Sequence, residues 1–167
     1  MPNMGQVISR HNHKVANDEV QQTPPGCNCR GGPAGCPLNG ACQTRSLVYE
    51  ATITREDNHH QETYTGLTER TFKLRLGEHH YDFRHQKDRT TTLSSYIWKL
   101  KNQNIPYSIT WKVITRSRSF DPTTRSCQLC LKEKYYIMFR PECASLNDRR
   151  ELYATCRHRL KPLLANT

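Results

Sequence analysis

Between residues 46 and 67 two short runs flank a polar stretch in the manner of paired strands. Ser46 to Thr54 is rich in β-branched and aromatic residues and reads as a strand. The polar run Arg55 to Gln61 reads as a hairpin loop, and Glu62 to Leu67 as the returning antiparallel strand. A helical spacing follows: Thr68 suits a helix N-cap, and Phe72, Leu76 and Phe83 recur on one face after it. A second helix is predicted from about Thr92 through Tyr96, Ile97 and Leu100. Ser108 to Thr115 alternates, as a third strand. A third helix covers about Cys127 to Phe139 and ends before Pro141, because a proline pushes the residue ahead of it out of helical geometry. Asp148 to Leu160 reads as a last helix. The order ββααβαα predicts an α+β fold, a small antiparallel three-stranded sheet packed by helices.

Ahead of the first strand the pattern fails. Residues 1 to 23 are polar without sustained period and read as a flexible tail or linker. The start, Met1 to Arg10, lacks the apolar stretch of a signal peptide, and no apolar run approaches a bilayer span. The chain therefore reads as soluble and intracellular, with no membrane partner. Residues 24 to 45 carry Gly31, Gly32, Gly35, Gly40, Pro33 and Pro37, which forbid a helix or strand of any length. Such a segment is ordered only if something staples it. Cys27, Cys29, Cys36 and Cys42 supply four thiolates, the donor set of a closed structural Zn2+ site. Eight cysteines in a chain read as intracellular favour metal over disulfides.

A second cysteine group is split along the chain. Cys127-x-x-Cys130 opens the third helix, and Cys156-x-His158 lies late in the fourth. If those helices form an antiparallel hairpin, the four residues make a Cys3His zinc site. Two buried cysteine pairs, packed as small hydrophobes, are the equal alternative. Cys143 is left over, near Asn147.

Charge narrows the partner. Lysine and arginine outnumber acidic residues for a net charge of +10, and hydrophobic residues make up only 35% of the chain. The small apolar share predicts a modest core that a structural metal would help hold. The positive charge favours a polyanion, because each neutralised phosphate releases counterions. Arginines crowd the last third, where their planar forks suit bidentate phosphate contact.

Several residues could share a pocket. Arg75 and His79 are four apart and lie on one helical face. Tyr49 and Tyr64 sit on adjacent strands whose inward faces could meet that helix. Glu133 stands mid-helix between Lys132 and Lys134, a carboxylate near a basic surface suited to Mg2+. Taken singly, each has a plainer reading as a packed aromatic or a solvated charge.

Their order along the chain resembles the GIY-YIG endonuclease family. Leu47-Val48-Tyr49 stands at the first motif, without its glycine and isoleucine, and Tyr64-Thr65-Gly66 at the second, with threonine for isoleucine. Phe72 to Leu76 with His79 resembles the arginine helix. Glu133 to Ile137, followed by Pro141 and Asn147, resembles the metal-glutamate helix and its asparagine. Leu93-Ser94, Ile97 to Lys101, Trp111-Lys112-Val113, Cys127-x-x-Cys130, Leu146-Asn147 and Cys156-Arg157-His158 are similar to the endonuclease domain of Penelope-like retroelements.

The resemblance implies a GIY-YIG-like nuclease domain over residues 46 to 164, after a zinc segment at 24 to 45. It implies a hydrolase that nicks target DNA at phosphodiester bonds with one catalytic Mg2+ or Mn2+ held by Glu133. Arg75 would steady charge on the phosphoryl oxygens, and Tyr49 would activate water as a phenolate or through a relay. Tyr64 would orient water or phosphate, His79 would assist proton transfer, and Asn147 would brace the site. In such a retroelement the nick would prime a reverse transcriptase domain of the parent polyprotein, in the nucleus. A non-catalytic, zinc-stabilised nucleic-acid-binding module derived from such a nuclease is the rival expectation.

Overall fold

A computed structural model describes residues 26–86, 91–123 and 126–148, together with Cys156. The tail expected over residues 1 to 23 lies outside these residues. So do His158 and, apart from Asp148 and Cys156, the expected last helix.

The described chain is α+β. Strands β1 (Leu47–Arg55) and β2 (Gln61–Thr68) are followed by helices α1 (Phe72–Arg84) and α2 (Thr92–Asn102). Strand β3 (Tyr107–Arg116) comes next, then two-residue strands β4 (Phe120–Asp121) and β5 (Ser126–Cys127). Helix α3 (Gln128–Phe139) and a 3-10 turn (Pro141–Cys143) complete it. The three long strands form one antiparallel sheet in the order β2-β1-β3, while β4 and β5 pair as a separate ribbon. That ribbon was not expected, and at two residues per strand it is too short to leave a periodic trace.

Alternation along β1 divides the interior in two. Leu47, Tyr49, Ala51 and Ile53 point to the larger cluster, with Tyr64 of β2, Phe72, Leu76 and Phe83 of α1, and Leu93, Ile97 and Leu100 of α2. Val48 points the opposite way, to a smaller cluster with Leu129 and Cys130 of α3, Cys127 and Cys156. Successive strand residues face opposite sides of a sheet, so one strand serves both clusters. Between Val48 and Tyr49 the pairing with β3 slips, so that Val48 faces Thr115 while Tyr49 faces Val113. The extra residue, Ile114, joins the smaller cluster, and the bulge falls directly beside Tyr49.

The start of α1 differs from the sequence expectation. Thr68 ends β2, and the N-cap is Thr71, whose hydroxyl accepts from the Leu74 N–H at 3.4 Å. The cysteine-rich segment completes the cap. Phe72 N–H donates to the Thr44 carbonyl at 2.9 Å and Lys73 N–H to the Cys42 carbonyl at 2.8 Å. Two otherwise orphaned helix donors are thereby satisfied. Cys36, Leu38 and Cys42 belong to the same core cluster as Tyr49, so this segment is fused to the sheet's packing.

Candidate active site and cysteine centres

The alternation of β1 buries Tyr49 completely, with its hydroxyl turned to α1. The Tyr49 oxygen lies 2.7 Å from His79 Nε2, and Arg75 Nε donates to it at 3.1 Å. Arg75 and His79, one turn apart on α1, thus converge on one phenol oxygen. Arg75 can only donate, so Tyr49 accepts from it. The bond to His79 has two neutral forms. With the ring proton on Nδ1, Tyr49 donates its hydrogen to Nε2; with the proton on Nε2, the phenol oxygen accepts twice.

Aromatic walls enclose the imidazole. Phe83 stacks on His79 with centroids 5.9 Å apart, Trp111 of β3 lies at 5.4 Å, and Tyr64 stands edge-on at 6.2 Å. Burial among these rings, with the Arg75 charge adding to it, pushes the His79 pKa down to about 3. His79 is therefore neutral. Its Nδ1 is the one buried side-chain nitrogen or oxygen among the described residues with no hydrogen-bond partner.

Burial, followed by the neighbouring Tyr64, raises the Tyr49 pKa far above the ordinary phenol range; Arg75 works against this and the Glu133 charge works with it. Tyr49 is thus a phenol and not a phenolate at neutral pH. Of the two forms expected from the sequence, burial disfavours the phenolate, and a relay would require the His79 tautomer whose Nε2 is free to accept the phenol proton. Burial works against the Arg75 charge too, but Tyr49 and Glu78 outweigh it and keep the guanidinium protonated.

Gly66 sets the depth of the phenol. It pairs directly with Tyr49 across β1 and β2, and a Cβ placed on it would lie 2.6 Å from the Tyr49 oxygen and 2.9 Å from the Tyr64 ring. No side chain fits there. Asn147 acts one residue away: Thr65 N–H donates to its Oδ1 at 2.8 Å, and its Nδ2 donates to the Thr65 carbonyl at 2.8 Å. The Thr65 hydroxyl donates to the Cys143 carbonyl at 2.7 Å. The chain after α3 is therefore tied to β2 where a further strand would pair.

Glu133 departs from its expected setting. It is 4% exposed, on the face of α3 that also buries Leu129, Cys130 and Ile137, with α3 packed on β2 and β1. The lysines beside it had suggested a basic surface, but the helix turns them away from this stripe. A charge on it would add, after burial and Tyr64, to what raises the Tyr49 pKa. Among the described residues, the groups of three or more clustered donors are both cysteine sets, so Glu133 would offer a cation a lone carboxylate. Mg2+ accepts that arrangement, commonly taking one or two carboxylates and filling its shell with water and substrate phosphate.

Arg75 also faces outward. Its Nη1 donates to Glu78 Oε2 at 2.9 Å, and Arg70 pairs with the same carboxylate. The sequence gives Glu78 and Arg70 no role, and names Gly66 and Trp111 only as members of motifs, without the contacts they make here. The spacing of Glu78 three residues after Arg75, and of Gly66 two after Tyr64 in the opposite strand, was the available signal.

The cysteine donors gather as expected. The sulfurs of Cys27, Cys29, Cys36 and Cys42 all lie within 4.8 Å of one another. Cys29 to Cys42 and Cys42 to Cys27 are each 3.7 Å apart. A tetrahedron with Zn–S bonds of about 2.3 Å has edges of about 3.8 Å, so the spacing fits zinc. Burial tends to raise the Cys36 thiol, but the Leu38 and Gly40 amides outweigh it and its pKa falls to about 6. The second group brings Cys127, Cys130 and Cys156 within the same 4.8 Å, with Cys130 and Cys156 3.7 Å apart. These clusters could hold a metal ion such as zinc. His158, the expected fourth donor of the second, lies outside the described residues.

No protein-family model, curated protein or solved structure matches this chain.

Proposed function

We propose that this chain is a metal-dependent DNA endonuclease of the GIY-YIG type, nicking phosphodiester bonds. The observation that carries the reading is the convergence of Arg75 and His79 on the Tyr49 hydroxyl, at 3.1 and 2.7 Å. Spacing alone could put Arg75 and His79 on one face, but not aim both at a third residue that belongs to the same motif series. The net charge of +10 supports a polyanionic substrate.

In this reading Tyr49 passes its proton to the neutral His79 as it takes one from the attacking water. A low-pKa imidazole is a weak acceptor, so the proton is held only transiently and leaves again through Tyr49, while the departing oxygen takes its proton from water. Arg75, fixed by its Nε bond to Tyr49, stabilises the charge that grows on the phosphoryl oxygens. Tyr64 orients water or phosphate, and Asn147 holds Thr65 and hence the strand that carries Tyr64 and Gly66. Glu133 would hold Mg2+ or Mn2+, which when bound supplies Lewis-acid stabilisation of the leaving oxygen. The wider proposal is a retroelement nuclease acting in the nucleus beside a reverse transcriptase domain.

One observation favours a second reading. Tyr49 is wholly buried and firmly protonated, as a packing residue would be. A zinc-stabilised nucleic-acid-binding module would keep that core and lose the chemistry. A supercoiled-plasmid assay in Mg2+ or Mn2+ separates the two. The nuclease converts the plasmid to open circles, and Glu133→Ala or Arg75→Ala abolishes nicking without loss of fold. Full nicking by either variant, or none by the wild type, overturns the enzyme.

A further inference from the structure

The outer face of α1 carries an open groove of about 530 Å3, lined by Arg70, Leu74, Arg75, Gly77, Glu78 and Tyr81. We infer that it binds an unpaired DNA strand, with one phosphate held by Arg70 and Arg75 in the place that the Glu78 carboxylate now fills. The inference rests on the nucleic-acid substrate proposed above and adds where, and in what form, that substrate lies.

Three features point to it. The first is the Glu78 carboxylate, which engages two arginines at once, Arg75 Nη1 at 2.9 Å and Arg70. A carboxylate and a phosphate present paired oxygens to a guanidinium in the same geometry. Glu78 is thus an internal occupant of a two-arginine anion site, and its side chain is 36% exposed, free to swing outward. Exposed ion pairs of this kind are weak, so a doubly bonded phosphate can replace the carboxylate.

The second feature is Gly77, in the middle of α1. Glycine inside a helix is less stable than alanine there, and a Cβ built at Gly77 meets no heavy atom within 4 Å. Nothing within the described protein requires it. A ligand lying against the helix backbone does, because a side chain would stand in its way.

The third is the pair that flanks Gly77 one turn to either side. Leu74 is 55% exposed and Tyr81 48% exposed, apolar surfaces at the spacing of a single helical stripe. Paired arginines beside a half-exposed aromatic ring, here one that also stacks on His85 at 4.3 Å, are how proteins hold unpaired strands, the phosphates on the cations and a base against the ring. Asp82, one turn beyond Glu78, also borders the groove and repels phosphate toward the arginine end. A phosphate drawn to that end meets Arg75, the residue that already touches Tyr49.

Fluorescence anisotropy with a labelled single-stranded deoxythymidine oligonucleotide tests this, with Ca2+ in place of Mg2+ to hold off cleavage. Glu78→Gln is expected to tighten binding about two- to fivefold, as the competing charge is lost. Gly77→Leu is expected to weaken it about tenfold by covering the base site, with an unfolding midpoint no lower than the wild type's. Gly77→Ala serves as the control that raises stability. Wild-type affinity in Gly77→Leu, or unchanged or weaker binding in Glu78→Gln, overturns the proposal. Nicking is followed on the same samples. Binding that obeys this pattern in a protein that never nicks upholds the groove and removes the nuclease. Nicking that continues while Gly77→Leu binds normally removes the groove and leaves the nuclease.

Discussion

The Tyr49 array and the Cys27 to Cys42 cluster both meet the first turns of α1 but are held by different physics. Around Tyr49, order comes from packing. Phe72, Trp111, Phe83 and Tyr64 surround the Tyr49 and His79 rings, and the polar atoms find one another inside that box. Around Cys42, order comes from donors. The segment is a succession of turns with no strand or helix, its sulfurs gathered at tetrahedral spacing. One region is ordered by its packing, and the other would draw its order from a metal held by its thiolates. They meet at α1, where the Cys42 and Thr44 carbonyls receive the helix's first N–H groups. The dependent region therefore steadies the helix on which Arg75 and His79 stand.

Removing a metal ion such as zinc, which the Cys27 to Cys42 cluster could hold, would break this comparison most severely. A structural zinc site contributes an apparent 10–16 kcal/mol, on the order of a whole domain's stability. Stripping the metal with a thiol reagent and a chelator is expected to abolish cooperative unfolding, with zinc release counted by elemental analysis. A stripped protein with the wild-type transition would show that packing alone holds both regions.

Acid acts on the packed region. The unfolded chain takes up a proton at His79 near the usual imidazole pKa of about 6.5, whereas the fold keeps the ring neutral down to about 3. Below pH 6.5 the unfolded state thus binds the extra proton, and stability falls as pH falls. The expected slope reaches about 1.4 kcal/mol per pH unit between those values and levels off below them. His79→Gln is expected to remove this part of the slope in denaturant titrations. Equal slopes in the two proteins would contradict the burial assigned to His79.

Gly66→Ala sharpens the comparison by disturbing the packed region alone. The added methyl collides with the Tyr49 oxygen and with Tyr64, so the phenol must shift. Overpacking of this kind costs about 1–3 kcal/mol, measured by urea unfolding. Zinc content is expected to stay at the wild-type level while nicking is lost.

The packed region was the more legible of the two in its outline. The β-branched and aromatic runs on either side of the polar stretch at residues 55–61 predict the hairpin, and the hairpin sets Tyr49 opposite Gly66. The four-residue spacing of Arg75 and His79 predicts their common face. Clustering in a Gly/Pro segment that must be stapled likewise predicts the gathering of Cys27, Cys29, Cys36 and Cys42, whereas Cys127, Cys130 and Cys156 read equally as buried cysteines or as a metal site until the fold brings them together. What escaped depends on tertiary detail. Thr68 and Thr71 both satisfy the pattern of a cap, and only the length of β2, which runs through Thr68, decides for Thr71. The bulge at Ile114 leaves no mark in a strand that alternates cleanly before it. Glu133 reads as solvated because lysines flank it, although Leu129, Cys130, Glu133 and Ile137 already trace one helical stripe. The aromatic enclosure of His79 joins α1 to β3 and could not be read from either alone.

The most direct test of the account is the Mg2+-dependent nicking rate of Tyr49→Phe against wild type on supercoiled plasmid. The substitution keeps the ring in its aromatic box and removes only the oxygen on which Arg75 and His79 converge. The account expects nicking to fall by about a hundredfold or more, with zinc content and cooperative unfolding retained. Nicking at the wild-type rate would show that the convergence on Tyr49 has no part in the chemistry.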